Sequence, residues 1–248
     1  PGRVQAAPRH ALLAAQPALS VRRMLLPTLL GATEGRPGTF VEIGAFTGVM
    51  FSNTIMLERC WNWTGALIEA NPTNFITFRR ALRPPARAIH SAVCGMEGQT
   101  EVMAEGSAAS GIATSETVQA SCTVLEGGKN KAPMRRSCRG TVRVPCAPLS
   151  VIMARASLTT ADFLSLDVEG AEADVLATVN PAIFKVISVE LDGRNPRKDD
   201  RVHAQLTAAG FNLDPATLHR PTTRRDGTRS VRPALASRTY TRHDVQLR

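Results

Sequence analysis

Aromatic side chains are scarce in this sequence and make up 4% of its 248 residues. Proteins that bind single-stranded nucleic acid use aromatic rings as platforms on which bases stack. The basic C-terminal segment 194–248 offers only Phe211 and Tyr240 for this purpose. The composition therefore argues against a nucleic-acid surface built on base stacking.

A long uninterrupted apolar run is also missing. A transmembrane helix needs about 20 consecutive, predominantly apolar residues. The apolar stretch 11–30 is interrupted by five residues: Gln16, Pro17, Arg22, Arg23 and Pro27. We therefore expect no membrane span in this chain, and a soluble protein. Because the chain opens with Pro1 and lacks the layout of a signal peptide, we expect a processed or trimmed N-terminus, which leaves the compartment open.

The cysteines show no CxxC motif and no zinc-like pairing, and their odd number excludes a complete disulfide framework. They are Cys60, Cys94, Cys122, Cys138 and Cys146. We expect buried, unpaired thiols, with a Cys122–Cys138 bridge as the alternative in a secreted protein. One glycosylation sequon, Asn62-Trp63-Thr64, lies directly before a predicted core strand and says little by itself.

The net charge of +9 is unevenly distributed. Segment 194–248 carries 12 lysine and arginine residues against 5 aspartates, and stretch 121–143 carries 6 against Glu126 alone. Such basic segments attract phosphates and other acidic groups. We expect them to bind an acidic substrate, an RNA or a protein assembly, or to be solvated surface.

Strands and helices alternate after residue 38. Residues 1–38 are predicted as an N-terminal helical segment, and 39–248 as one domain with a long loop at 107–140. Predicted strands cover 39–43, 65–69, 87–93, 100–103, 141–144, 162–167 and 184–190. Predicted helices cover 49–60, 74–82, 149–156, 171–179 and 201–209.

This alternation predicts an α/β fold with a doubly wound, mostly parallel sheet. Residues 211–213 and 236–241 are predicted to add an antiparallel C-terminal strand pair. Ligands of such sheets bind outside the carboxyl ends of the strands. The polar residues that end the predicted strands are therefore the candidate site.

The first such group is Val41-Glu42-Ile43-Gly44-Ala45-Phe46-Thr47-Gly48. A strand ends near a carboxylate and runs into a turn whose glycines let the backbone pass close to a ligand. A dinucleotide fingerprint would read GxGxxG, so this GAFTG turn does not support pyrophosphate binding. An ordinary turn between strand and helix is the alternative.

The second group, Leu67-Ile68-Glu69-Ala70-Asn71-Pro72, places a carboxylate at the end of the next strand. A carboxylate there can accept hydrogen bonds from both hydroxyls of a ribose. The alternative is an exposed acid that caps the Asn71-Pro72 turn.

The third group, Asp162 to Glu172, places Asp167 and Glu169 after a strongly apolar strand. Two such acids repel each other unless a cation lies nearby, and a sulfonium and a metal ion are both suitable. Glu172 is also explained by an acid at a helix N-terminus, which matches the helix dipole.

Together these groups resemble the FkbM methyltransferase family in order and spacing over roughly residues 40–210. The matching segments are VEIGAFTG, SNT at 52–54, Leu57-Glu58, LIEANP, DFLSLDVEGAE and Ile187-Ser188-Val189-Glu190. The family implies the class I methyltransferase Rossmann-like fold, S-adenosylmethionine as donor, and a hydroxyl acceptor on a sugar, polyketide or related small molecule.

The resemblance also implies site residues. Glu42, Gly44, Ala45, Phe46 and Gly48 would line the methionine end of the donor; Glu69 would hold the ribose, with Ala70 and Asn71 beside it; Ala92 would lie near adenine; Asp167 and Glu169 would face the methyl group. Three positions depart from the family pattern, which more often has Asp where Glu42 stands, Asn where Phe46 stands and Pro where Ala70 stands.

An alcohol loses its proton as it attacks the methyl carbon, so a base is expected near the methyl group. Glu169 is the first candidate, Asp167 the second, and His90 and His203 are alternatives. A divalent metal held by Asp167 and Glu169 could instead acidify the acceptor. The rival interpretation is a catalytically weak or inactive methyltransferase fold that serves as a binding module in an RNA- or protein-rich assembly.

Overall fold

The computed structural model describes residues 25–80, 86–104, 141–191, 195–215, 219–223, 229–233 and 237–245. Strands are β1 (Thr39–Ile43), β2 (Thr64–Glu69), β3 (Arg87–His90), β4 (Ala92–Val93), β5 (Gln99–Ala104), β6 (Thr141–Ala147), β7 (Ala161–Leu166), β8 (Phe184–Glu190), β9 (Phe211–Leu213), β10 (His219–Thr223), β11 (Arg229–Pro233) and β12 (Ser237–Arg242). Helices are α1 (25–32), α2 (Ile55–Trp61), α3 (Pro72–Arg80), α4 (Leu149–Arg155), α5 (Glu172–Leu176) and α6 (Pro196–Ala208). A 3-10 turn covers Pro181–Ile183.

The main sheet has seven strands in the order β3-β2-β1-β7-β8-β12-β9. The first five are parallel, and β12 runs antiparallel to both β8 and β9. The predicted doubly wound sheet and its antiparallel C-terminal pair are both confirmed. Strands such as β1 and β2 are buried on both faces, as expected where helices cover a parallel sheet. The carboxyl ends of β1, β2, β7 and β8 therefore meet at one edge.

Several predicted elements differ from the structure in their bounds, and two of these differences have tertiary reasons. The helix predicted from Val49 begins at Ile55, because residues 44–54 form an irregular turn held by hydrogen bonds to Glu42. The strand predicted over 87–93 divides at Ser91, whose backbone N–H donates to Glu69 O. Its first part extends the main sheet, and its second part, β4, joins a separate sheet of order β4-β6-β5.

This small sheet contains a disulfide between Cys94 and Cys146, with Cα atoms 5.6 Å apart. Both cysteines belong to a small apolar core with Met103 and Val144. The expectation of unpaired thiols was therefore wrong for these two residues. Nothing in the sequence paired them, because 52 positions separate them and the β4–β6 pairing brings them together. Cys60 is a free, exposed thiol.

Several predictions fall on residues outside the described ranges. They include the loop 107–140, most of the basic stretch 121–143, the Cys122–Cys138 alternative and residues 1–24. The described part of the predicted N-terminal segment packs on the domain, since Leu25 and Leu29 of α1 join the apolar core on one face of the sheet. In the part of the chain that the structure describes, no helix is both long enough and apolar enough to cross a bilayer.

Candidate active site

A cavity of about 290 Å³ opens at the carboxyl edge of the main sheet. Its wall combines the ends of β1, β2, β7 and β8 with residues of the small sheet such as Ala92 and Met103. The volume is at the lower end of the range of about 300–1,000 Å³ that is usual for small-molecule sites. The topology therefore places a ligand-sized cavity where open α/β sheets bind their ligands.

The turn after β1 requires glycine at position 44. Gly44 has φ of +80°, and a Cβ atom there would lie 1.8 Å from the carbonyl oxygen of Asp167. Its backbone N–H donates to Ile68 O at 3.0 Å, which fastens the turn to β2. The absence of a side chain thus lets the turn pass directly over the end of β7, and leaves bare backbone on the cavity wall.

Glu42 holds the rest of this turn in place. Its carboxylate accepts hydrogen bonds from Ser52 Oγ at 2.8 Å, Thr54 Oγ at 2.5 Å and Asn53 N at 2.7 Å. The side chain of Glu42 is 3% exposed, so these three donors satisfy a charge that burial would otherwise penalise. The Ser52-Asn53-Thr54 motif therefore has a structural reason, which is to anchor residues 44–54 to β1.

Glu69, at the end of β2, is pre-oriented by backbone donors. Its Oε1 accepts from Asn71 N and its Oε2 from Phe46 N, both at 2.7 Å. Burial raises the pKa of this carboxyl above its ordinary value, and the backbone hydrogen bonds from Asn71 and Phe46 partly oppose that shift. Further hydrogen bonds from the Asn74 side chain and the Ala70 backbone also lower this pKa, and hydroxyl groups of a ligand would bind the same carboxylate.

Three acids converge on the other side of the cavity. Carboxylate oxygens of Asp167, Glu169 and Glu190 all lie within 4.8 Å of one another. Burial, a hydrogen bond to Glu190 and the charges of Glu190, Glu169 and Glu172 raise the pKa of Asp167 to about 9. At neutral pH Asp167 and Glu190 therefore share a proton, and a cation in the cavity would favour the ionised form of Asp167.

The loop that carries Glu169 is fixed from behind by Glu172. This buried carboxylate accepts from Gly170 N at 3.0 Å and pairs with Lys198 Nζ at 2.9 Å. Glu169 itself has φ of 56°, an uncommon backbone conformation for a residue other than glycine. Matching of the helix dipole is thus only part of the reason for Glu172, because it also holds the turn that presents Glu169 to the cavity.

The structure brings most of the predicted site residues together. Those that line the cavity are Glu42, Gly44, Phe46, Glu69, Ala70, Ala92, Asp167 and Glu169. Ala45 and Asn71 are buried behind the wall, 1% and 0% exposed respectively. Gly48 also lies behind it, where a Cβ atom would collide with the ring of Phe78. These three residues support the wall from behind.

Sequence reasoning did not propose Glu190 as a site residue, although the signal was present: it ends a core strand, as Glu69 does. Phe51 was also missed, because the predicted helix included it. Of the two histidine alternatives, His90 stacks on Phe75 with its Nε2 3.0 Å from Ala70 O. His203 lies on α6 with its Nδ1 3.4 Å from the hydroxyl oxygen of Tyr240 on β12, and neither histidine lines the cavity.

Methyltransferases of low sequence identity are among the solved structures that this chain matches. One is precorrin-6y C5,15-methyltransferase from Geobacter metallireducens (12% identity, 90% of this chain and 88% of that chain, TM-score 0.46). Another is an O-methyltransferase from Bacillus cereus in complex with SAH (11% identity, 96% of this chain and 93% of that chain covered, TM-score 0.45). A third is methyltransferase FkbM from Methylobacillus flagellatus (13% identity, 95% of this chain and 55% of that chain covered, TM-score 0.46). No curated protein gives a significant match.

The family comparison matches residues 42–213, more than two thirds of the chain. The matched family is described as the methyltransferase FkbM domain. The match begins at Glu42 and includes all four strand ends that form the cavity. The fold is the expected class I methyltransferase Rossmann-like fold. The chain belongs to the FkbM methyltransferase family.

Proposed function

We propose that this chain is an S-adenosylmethionine-dependent methyltransferase that methylates a hydroxyl oxygen of a sugar or another small molecule. The observation that carries the proposal is the distribution of groups around one cavity. Glu69 is held by two backbone donors on one side, the bare turn at Gly44 lies between, and three acids lie on the other side. Family membership adds the methyl-transfer chemistry.

The residues present fit such a donor. Glu69 lines the cavity as a carboxylate that can accept hydrogen bonds from ribose hydroxyls, and Ala70 and Ala92 leave room beside it on the wall. Gly44 presents backbone to the methionine end, where a Cβ atom could not stand. Phe46, where the family more often has Asn, still donates its backbone N–H to Glu69. This orienting hydrogen bond does not depend on the side chain at position 46.

The bound donor would supply a methyl carbon activated by its positively charged sulfur. In the transfer, the donor's carbon–sulfur bond would be exchanged for a carbon–oxygen bond to the acceptor, and the acceptor hydroxyl would give its proton to a base of this chain. We assign that base to Glu169, which is exposed, with Asp167 and Glu190 as the half-buried acids that stabilise positive charge. Holding the acceptor in line with the methyl carbon accounts for much of the rate, because a bimolecular step becomes effectively unimolecular.

Donor binding tests this proposal directly. Isothermal titration of S-adenosylmethionine and of its demethylated product should show binding of both ligands to the wild-type chain. Replacement of Glu69 by Ala should weaken both by about 1–3 kcal/mol, because charge-assisted hydrogen bonds to the ribose are lost.

Glu34→Ala is the matched control, because Glu34 is an exposed acid in the turn before β1, at the opposite edge of the sheet. Circular dichroism should show that all variants are folded. A folded wild-type chain that binds neither ligand would rule out the proposal.

A further inference from the structure

The sequon Asn62-Trp63-Thr64 plays no part in the proposed site, and the structure places it at the opposite end of the fold. Asn62 caps the C-terminal end of α2, and Thr64 begins β2. Both residues are exposed, whereas Trp63 between them is 1% exposed and packs in the core. The buried tryptophan thus fixes the segment, and its two neighbours present the modifiable amide and the hydroxyl to solvent.

The disulfide supplies an independent observation. Cys94 and Cys146 are cross-linked within the buried core of the small sheet. Structural disulfides form and persist in oxidising compartments such as the lumen of the secretory pathway. The enzymes that glycosylate asparagine in Asn-X-Ser/Thr sequons act on proteins that enter the same pathway.

We infer that Asn62 is an N-glycosylation site and that this chain matures in an oxidising, secretory compartment. In the modification, Nδ2 of Asn62 forms a bond to C1 of the first sugar of a polyprenyl-diphosphate-linked oligosaccharide. The bond between C1 and the diphosphate oxygen breaks, the diphosphate leaves with the electron pair, and the amide gives up one proton.

A glycan at this position leaves the cavity open. β2 rises about 3.3 Å per residue, so its six residues place Asn62 roughly 20 Å from Glu69, at the amino edge of the sheet. The modification therefore covers a face of the molecule that the proposed reaction does not use.

A competing explanation for Asn62 is purely conformational. The residue has φ of 57° and ψ of 30° at the helix end, a left-handed position that asparagine tolerates better than most residues. That explanation places no demand on Thr64, whereas glycosylation requires a hydroxyl there. This difference decides the choice of variants.

The experiment expresses the full chain in the secretory pathway of a eukaryotic host and measures its intact mass before and after peptide N-glycosidase treatment. We expect the enzyme to remove the mass of one glycan and convert Asn62 to aspartate in the mapped peptide. Thr64→Ala should abolish the shift completely, and Thr64→Ser, which changes the same exposed position, should retain it. Asn62→Gly should abolish it while keeping the left-handed helix end.

Donor affinity should be the same for the glycosylated chain and for Asn62→Gly. The inference is overturned if Asn62 is unmodified in chains whose Cys94–Cys146 bond has formed. It is equally overturned if the mass shift survives Thr64→Ala.

Discussion

Among the residues that the structure describes, Asp167 has the ionisation that is most strongly altered by its surroundings. Its neighbours are acids and its carboxyl is largely removed from water, which together raise its pKa to about 9. Between roughly pH 4, where an unfolded aspartate titrates, and pH 9, the folded protein binds more protons at this group than the unfolded chain does. The contribution of Asp167 to the free energy of unfolding is therefore fully present below pH 4 and is lost progressively as the pH rises to 9.

A first prediction concerns the pH dependence of donor binding. S-adenosylmethionine carries a sulfonium charge that its demethylated product lacks, so only the former favours ionised Asp167. The ratio of their affinities should therefore rise from pH 7 to pH 9 and then level off, measured by titration calorimetry. The raised pKa of Glu69 does not disturb this ratio, because both ligands carry the same ribose.

Asp167→Asn is the control for this effect. The variant should show a flat affinity ratio, and its ligand-free form should lose less stability between pH 7 and pH 9 than the wild type does. A wild-type ratio that does not change with pH would contradict the proposed position of Asp167 beside the sulfonium.

A second prediction separates the roles of Glu169. If it accepts the acceptor's proton, Glu169→Gln should lower turnover by about 10²-fold or more, while donor affinity changes little. Glu34→Gln, a change at an exposed acid on the opposite edge, should leave both unchanged. If Glu169→Gln turns over as fast as the wild type, Glu169 is not the base.

The same assay with a chelator distinguishes a base from a metal ligand. Activity that persists assigns proton transfer to Glu169. Activity that is lost and then restored by magnesium would instead assign the carboxylates of Asp167, Glu169 and Glu190 to an ion.

At the scale of elements, the turn between β1 and α2 forms one wall of the site. Glu42 fixes its far end through residues 52–54, and Gly44 fixes its near end against β7. The turn is therefore held at both ends although it has no regular secondary structure. The hydrogen bonds of residues 52–54 to Glu42 are the physical reason for the late start of α2 at Ile55.

A third prediction tests this close packing. Gly44→Ala places a Cβ atom 1.8 Å from Asp167 O in a left-handed backbone, so we expect a loss of roughly 2 kcal/mol or more in the free energy of unfolding, together with loss of donor binding. Gly35→Ala is the matched control: its φ of +73° is similar, but a Cβ atom there meets nothing within 4 Å. Equal urea midpoints for the two variants would show that the contact with Asp167 is unimportant.

At the scale of the whole molecule, the disulfide ties the small sheet together. It closes a chain segment with a sequence separation of 52, so constraint of the unfolded chain predicts a contribution of about 2–4 kcal/mol. Urea unfolding with and without a thiol reductant should show this difference in the wild type and no reductant effect in Cys94→Ala/Cys146→Ala. Cys60→Ser should behave as the wild type, and a wild-type midpoint that is indifferent to reductant would contradict the prediction.

The binding role of the basic segments stays a prediction. Some basic residues of segment 194–248 have partners within the chain: Arg242 pairs with Asp244 at 2.6 Å and donates to Ala182 O. The basic stretch 121–143 lies almost wholly outside the described residues, so selection of an acidic acceptor by this stretch remains an expectation. The same holds for binding to RNA or to a protein assembly.

The sequence by itself determined the parts that depend on local pattern. Apolar strands that end in acids gave β1, β2, β7 and β8, and the rule that ligands bind at the carboxyl ends of such strands placed Glu69, Asp167 and Glu169 at one edge. One local signal was overlooked: Asn195 accepts from Lys198 N and Pro196 follows it, which together begin α6 five residues before its predicted start.

Only the tertiary structure decided features that join distant segments. The Cys94–Cys146 bond, the Glu172–Lys198 pair and the hydrogen bond between Asp167 and Glu190 each depend on how the crossovers place strands and helices side by side. The ionisation of Asp167 belongs to the same class, because a pKa is set by burial and by neighbouring charges. Sequence spacing records neither the burial of a residue nor the charges beside it in space. The residues of the site could therefore be named in advance, whereas their protonation, the hydrogen bonds that hold them and the cross-links could not.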